Sequence, residues 1–477
     1  MASPATFCAS SSAVWARRRG EKTTAIKFIV QLKRQALSQA YPRLIESLDL
    51  VEVRESSPQP FLRNMQSSDR DHFFETDASQ AQRARKAAKA SNKYGRPLET
   101  RSKILAAIPD LTAAHGGSSL SIFIAESAGS VRRVRLNSSP SPLAEEGKEA
   151  AAAETTYRGP KAPVTCIALG GKDNKTIFAG SWDKDIWSWD VGSSQPRRKY
   201  SGGHSDFVKC VQCARIAGVD VLISGGADKK ITVWDVETGR VLHTMQDTAT
   251  TMLAVQSLAL DPVSSTPDEI VFASASSDPH IRRWKATLDR WEQIPESFPA
   301  DKPQKERLTI EEHHTSVYKL LFDTDGADVD LWTASADGTA KCLSRCRNFV
   351  ADESYLHGDY VRAVQLTDQW IFTAGRDETI KVWNRATGKL HCSLEGHFEE
   401  ITDLILLRDA QGHPEKLCSV SIDRTIRTWP IQQSGLDALI KEMNEAKNHP
   451  GQEEARPLSD NLLTAEEEAE LAELMDD

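Results

Sequence analysis

Apolar residues along this chain come in short runs that alternate with polar ones and stop at turn signals. "DVLISGG" is followed by "ADKK" and "ITVWDV", and further on "QWIFTAG" is followed by "RDET" and "IKVWN". Such β-rich runs predict strands joined by tight turns, and the alternation in "ITVWDV" and "IKVWNR" predicts strands with one face buried. Helical spacing is found chiefly towards the ends. "DASQAQRARKAAKASNKYG" predicts a helix that starts near Asp77 and stops at Gly95, with Arg83, Arg85, Lys86, Lys89 and Lys93 along it. "SGLDALIKEMNEAKNH" predicts a second, with Ser434 and Asp437 as a capping box and Leu436, Leu439, Ile440 and Met443 as an apolar stripe.

The strand pattern repeats. In "AGSWDKDIWSWDV" Asp183 precedes Trp189 by six residues, and the same step joins Asp228 to Trp234, Asp278 to Trp284, Asp377 to Trp383 and Asp423 to Trp429. A sixth copy keeps Asp337 but has Leu343 in place of the tryptophan. Four residues before each aspartate stands a small or hydroxyl residue: Ala179, Ser224, Ser274, Thr333, Thr373 or Ser419. The aspartates are 45, 50, 59, 40 and 46 residues apart, close to the period of propeller blades that end in Trp-Asp. On these residues, and on "GGHSDFV", "EHHTSV", "LHGDYV" and "EGHFEEI" with His204, His313, His357 and His397, the chain from about residue 100 to 431 resembles the WD-repeat (WD40) β-propellers.

That resemblance implies an all-β, seven-bladed ring with helical or disordered N- and C-terminal extensions. The seventh blade is a degenerate first one, residues 104–137, opened by "KILAAIPD"; its "SIFIAESAGSVRRVRLN" carries Ala128 where the aspartate belongs and Val134 where the tryptophan belongs. It also implies buried hydrogen-bonded tetrads formed by His204, Ser224, Asp228 and Trp234, by His357, Thr373, Asp377 and Trp383, and by His397, Ser419, Asp423 and Trp429. Three blades depart from the pattern and are expected to be less rigid. The blade of Asp183 has Pro160 and Ala179 for His and Ser, that of Asp278 has Thr251 for His, and that of Asp337 lacks the Trp. Family propellers build the top rim of their channel from residues just before the turn aspartate and from those three and five after the histidine. Here these are Trp182, Phe207, Lys209, Tyr318, Tyr360, Arg362 and Arg376, side-chain types that dominate interaction hot spots.

The resulting organisation is a basic N-terminal extension (1–94), the propeller (95–431), a C-terminal helix (432–450) and an acidic tail (451–477). Because a helix follows the last Asp and Trp, the outer strand of the final blade must come from the other end of the chain. "GRPLETRSK" is the expected donor, with "DLVEVR" as the alternative, and closure removes exposed sheet edges. Residues 138–159 read as a linker with a short Ala and Glu helix, and 295–311 as a Pro and Lys-rich loop.

The net charge of −9 divides unevenly: residues 1–103 carry +9, the middle −8 and residues 431–477 carry −10. The basic helix is read as solvated, with nucleic acid, a nuclear signal or the acidic tail as alternatives. In the tail, Thr464 and Glu467 form a capping box and Leu471, Leu474 and Met475 share a face, the form of a helix that docks in a groove, or else a disordered segment. Residues 1–20 lack acids and resemble a mitochondrial transit peptide, but their arginines are clustered, and Met65 is an alternative start. No apolar run approaches the roughly 18 residues of a membrane helix.

Candidate chemistry is sparse. "CVQC" at Cys210 and Cys213 has metal or redox spacing, yet it lies in a strand and has no second pair, so both thiols read as core residues of a protein in a reducing compartment. "ALGGKD" looks like a phosphate loop, but Asp173 follows the lysine and no helix follows it. GxSxG, HExxH and PCxxC with an upstream HxE are absent from the sequence. The reading is a non-catalytic scaffold of the cytoplasm or nucleus, without cofactor or metal and monomeric within a larger complex. It binds an acidic or linear peptide of a partner protein on its top face. A nucleic-acid-associated factor is the alternative. A ubiquitin-ligase substrate receptor comes third, because the chain has "WDVE", "WDVG" and "WNRA" in place of "WDxR".

Overall fold

A computed structural model describes residues 77–448 apart from 91, 113–119, 137–154, 248–249, 297–307, 325, 327 and 410. The transit-like segment, Met65, "DLVEVR" and the acidic tail lie outside the described residues.

The chain forms seven four-stranded antiparallel sheets. Blade 1 comprises Ile104–Pro109, Leu120–Glu126, Ser130–Leu136 and Thr155–Arg158; blades 2 to 6 follow with inner strands at Val164–Gly170, Val208–Ile216, Val255–Leu260, Val317–Phe322 and Val361–Leu366. Blade 7 takes Ile401–Arg408, Pro414–Ser421 and Thr425–Pro430 from the end of the ring and Leu98–Glu99 from its beginning, pairing Leu98 with Ile426 and Glu99 with Thr425. The closing strand thus lies within the segment expected to donate it. Blade 1 extends further than residues 104–137: its outer strand is Thr155–Arg158, from the end of the stretch read as linker. Tyr157 anchors it there, fully buried, with its hydroxyl donating to the Val191 carbonyl 2.6 Å away in blade 2.

Each pair of adjacent blades encloses its own apolar core, seven in all around the ring. This corrects the expectation of one buried face. In Ile231–Asp235, Ile231 and Val233 pack towards blade 4, Trp234 packs towards blade 2, and the intervening Thr232 is also buried. A blade has a neighbour on either side, so its alternate polar residues enter a hydrogen-bonded interior instead of water. Cys210 and Cys213 fall in two different cores, and burial pushes both thiols up in pKa.

Two helices flank the ring. Helix α1, Asp77–Ala90, ends before the expected Gly95; that glycine has a positive φ of 70° and lies against the Trp429 ring, where a Cβ would come within 2.9 Å. Helix α2, Gln433–Asn448, buries Leu436 in the core between blades 6 and 7, with Leu439 and Ile440 packed against that core; Met443 is also buried. No helix among the described residues is long and apolar enough to cross a membrane.

Removing residues 1–100 strips blade 7 of its outer strand and bares the edge of Thr425–Pro430. The truncated protein is expected to melt lower and to aggregate, and light scattering during a thermal ramp checks this. An unchanged midpoint would show that the strand does not hold the ring shut.

Candidate functional site

The top face is organised by the turn between the second and third strands of each blade. In blade 3, His204 Nε2 lies 2.7 Å from Ser224 Oγ and His204 Nδ1 3.1 Å from Asp228, while Trp234 Nε1 donates to Ser224 Oγ at 2.8 Å. Blade 7 joins His397, Ser419, Asp423 and Trp429 in the same way, and blade 6 joins His357, Thr373, Asp377 and Trp383 with the imidazole reversed, Nδ1 towards Thr373 and Nε2 towards Asp377. Space is tight: a Cβ on Gly226 would fall 2.4 Å from Asp228 and 2.5 Å from His204.

The departing blades replace the missing partners. In blade 2, Trp189 Nε1 donates to the Arg158 carbonyl instead of a hydroxyl, and Asp183 accepts from Trp187 Nε1. In blade 5, His313 still bridges Asp337 and Thr333, and Leu343 is buried without a polar contact to make. In blade 4 the work of the histidine passes to Arg282, fully buried, which donates to Asp247 (2.7 Å), Asp278 (3.0 Å) and Thr250 (2.8 Å). Sequence reasoning placed Thr251 at this position and missed Arg282. The available signal was a charged residue two before the blade's tryptophan, in a strand buried on both sides.

Burial drives the Asp228, Asp337, Asp377 and Asp423 carboxyls up, and the histidine, hydroxyl and backbone donors around them outweigh it, so all four end below the ordinary value. Burial lowers His397, and the opposing pull of Asp423 does not offset it.

The rim positions follow from two repeated features. In all seven blades the register of the innermost strand pair shifts near its start, by a β-bulge whose extra residue is Leu105, Thr165, Lys209, Gln256, Tyr318, Arg362 or Thr402. In all seven, the residue after the second strand donates its N–H to the carbonyl just before the first: Trp182 to Pro163 (3.0 Å), Ala227 to Phe207 (2.7 Å), Arg376 to Tyr360 (3.0 Å) and their equivalents. The expected rim residues therefore share one face.

They form two groups. Trp182 and Phe207 stack, with centroids 4.9 Å apart and planes 16° apart, and stay 44% and 37% exposed. Across the channel, the Arg376 guanidinium lies 5.1 Å from the centre of the Tyr360 ring, which is 41% exposed, and that of Arg362 lies 4.3 Å from Tyr318. Two residues are less available than expected. Arg362 is paired with Glu400 at 2.9 Å, and Lys209 is half-buried, donates to Gln256 and is lowered in pKa by burial and by the charge of Arg362. Deeper in the channel, Lys319 of blade 5 reaches Asp403 of blade 7 at 2.9 Å.

Helix α1 is not simply solvated. Arg85 and Lys89 pair with Glu378 at 2.6 and 2.8 Å, and Lys86 pairs with Glu399, so the helix docks on the top-side turns of blades 6 and 7.

Residues 198–297 match the family described as tRNA methyltransferase TRM82 WD40 domain, and residues 153–190 and 354–384 match WD domain, G-beta repeat. An uncharacterized WD repeat-containing protein, C126.01c of Schizosaccharomyces pombe, is 31% identical over 420 residues, 87% of this chain and 100% of that protein. The nuclear distribution protein nudF of Aspergillus niger is 25% identical over 294 residues, 61% of this chain and 54% of its own length. The WD40 β-propeller domain of Doa1 superposes with a TM-score of 0.52 at 18% identity, over 72% of this chain and 97% of that domain. The chain belongs to the WD-repeat family, whose propellers act as scaffolds that bind other proteins.

Two measurements follow. Arg282→Met leaves Asp247 and Asp278 without their buried cation, and urea unfolding is expected to show a loss of about 3–5 kcal/mol; a loss under about 1 kcal/mol would mean that the network is dispensable. For pH, a folded pKa below the unfolded one favours the fold above the unfolded pKa and is lost as pH falls. The urea midpoint should therefore drop below about pH 6.5 as His397 resists its proton, and again below about pH 4 as the four aspartates do. His397→Gln should shrink the first drop and leave the part of the second that comes from Asp228, Asp337 and Asp377.

Proposed function

We propose that this protein is a non-catalytic adaptor of the cytoplasm or nucleus whose top face holds an acidic or linear peptide segment of a partner protein. The observation that carries this reading is the exposed Trp182 and Phe207 stack on the rim, with Tyr360 and Arg376 opposite. Two large rings left half in water contribute little to the fold, and such residues become binding anchors once a partner removes them from solvent. The seven cysteines among the described residues are all free thiols, which supports a reducing compartment.

The nucleic-acid alternative loses weight, because Arg85, Lys86 and Lys89 are engaged with propeller carboxylates. The match of residues 198–297 to the WD40 domain of a tRNA methyltransferase supports a second reading, in which the partner is itself a methyltransferase-type enzyme and this chain its non-catalytic subunit.

Affinity purification with mass spectrometry from native cells tests the proposal. It compares the intact chain, Trp182→Ala, Tyr360→Ala with Arg376→Glu, and a truncation after Pro450. Loss of one partner set in both rim variants, at unchanged melting temperature, is the expected result. Partners that survive both changes and vanish with the truncation would assign binding to the tail. Retention that falls steeply with added salt and with nuclease would assign it to nucleic acid.

A further inference from the structure

Blade 1 carries none of the four tetrad residues. Thr100, Ile124, Ala128 and Val134 stand where other blades have His, Ser, Asp and Trp, and Glu126 stands where the other six blades have Gly or Ser. Thr100, Ala128 and Val134 are smaller than His, Asp and Trp, while Ile124 and Glu126 are larger than the residues they replace. A cavity of about 470 Å³ lies on the top side of blade 1.

Its walls are cationic. Ser130 faces Arg158 and Arg132 faces Thr156 across the two outer strands, so both arginines lie on one face of the sheet, and Arg101 enters from the seam loop. Glu126 is buried, and both of its oxygens are engaged: Arg132 donates to one at 2.7 Å and the Ser130 hydroxyl to the other at 2.7 Å. That pair cancels, and Arg101 and Arg158 form no ion pair with any described residue. Two guanidinium groups in one pocket, without an ion pair among the described residues, match a single dianion in charge, and their planar forks match phosphate oxygens in geometry. Exposed Lys103 and Lys161, in the loops that supply Arg101 and Pro160, add to the positive field.

We infer that this pocket binds a phosphoryl monoester, and specifically the phosphorylated serine or threonine side chain of a partner peptide. A monoester is terminal and can enter a recess. The phosphodiester of a polynucleotide, flanked by a nucleoside on each side, has to lie along an open track. At neutral pH a phosphoserine carries about −1.5 to −2 charge, close to what Arg101 and Arg158 supply. The site is separate from the Trp182 patch and does not depend on the reading proposed for it.

The test uses the full-length chain with three probes: a degenerate peptide library centred on phosphoserine, the same library unphosphorylated, and random 20-nucleotide single-stranded RNA with a 5′-hydroxyl. Fluorescence anisotropy is expected to show the phosphorylated library binding at least about tenfold tighter than its counterpart. Millimolar inorganic phosphate should compete, and Arg101→Gln with Arg158→Gln should abolish the difference, whereas Trp182→Ala should leave it intact. Both arginine side chains are exposed, so the double variant should fold; its melting temperature should equal the parent's without phosphate and fail to rise with it. Equal binding of the two libraries, or discrimination that survives the double substitution, would overturn the assignment. So would RNA binding that is lost in that variant while the libraries bind alike.

Discussion

A carboxylate in a tight turn underlies the geometry of the whole face. In six blades the turn aspartate accepts from the backbone N–H two residues on, as Asp228 does from Lys230 and Asp423 from Thr425. In four of them its other side accepts from the loop that brings the chain in from the previous blade, at Ser205, Leu253, His314 and Phe398. One residue thus staples a local turn to a connection more than twenty residues away. The turn itself places Lys184, Lys229, Glu378 and Arg424 at positive φ between 66° and 74°, a conformation with little margin for side chains other than glycine. The hydrogen bonds to the carboxylate offset that cost, and the same geometry turns Glu378 outward, where Arg85 and Lys89 reach it.

What completes the staple differs from blade to blade, and each solution follows from the charge of the completing group. Each histidine has a hydroxyl behind it, in blades 3, 5, 6 and 7, and in blades 3, 6 and 7 a tryptophan donates to that hydroxyl and completes a tetrad. Arginine brings several donors at once and satisfies two aspartates, Asp247 and Asp278, without an imidazole. A fully buried guanidinium is costly unless it is paired throughout, which is why both acids accompany it. Where the aspartate is absent, in blade 1, Ser102 of the incoming loop makes the link instead, its hydroxyl accepting from the Ala128 N–H at 3.0 Å and meeting the Ser127 hydroxyl at 2.9 Å.

Blade number, closure from the N-terminal side and the tetrads were legible because they depend on identities at fixed spacings. The Asp to Trp step of six is set by one turn and one strand, and the register across Ser224, Thr232 and Trp234 leaves it no freedom. Other features depend on which residues meet across long separations. Thr155–Arg158 is too short to signal a strand and is held by Tyr157 reaching a carbonyl in the next blade. Arg282 in "HIRRW" looks like a surface residue until both flanking blades are in place. The basic helix reads as solvated because Glu378 and Glu399 lie about 300 residues further along the chain.

Helix α1 also bears on how the top face came to be uneven. A rim built by sevenfold repetition would present seven similar positions, but here the acids gather on blades 6 and 7, at Glu378, Glu399 and Glu400, and the exposed aromatics on blades 2, 3 and 6. The seam accounts for part of this. A closing strand of two residues adds few ladder hydrogen bonds, and the segment before it would fray unless held elsewhere. Asn92 donates to the Gly396 carbonyl and accepts from Arg427, Arg427 also holds the Tyr94 carbonyl, and the ion pairs of α1 continue the line of contacts away from the strand. Glu378 and Glu399 are therefore committed to helix α1 and the seam, while Glu400 is held by Arg362. Trp182 and Phe207 on blades 2 and 3, and Arg101 and Arg158 at blade 1, are not among the groups that helix α1 engages, so a partner would meet them without first displacing the helix.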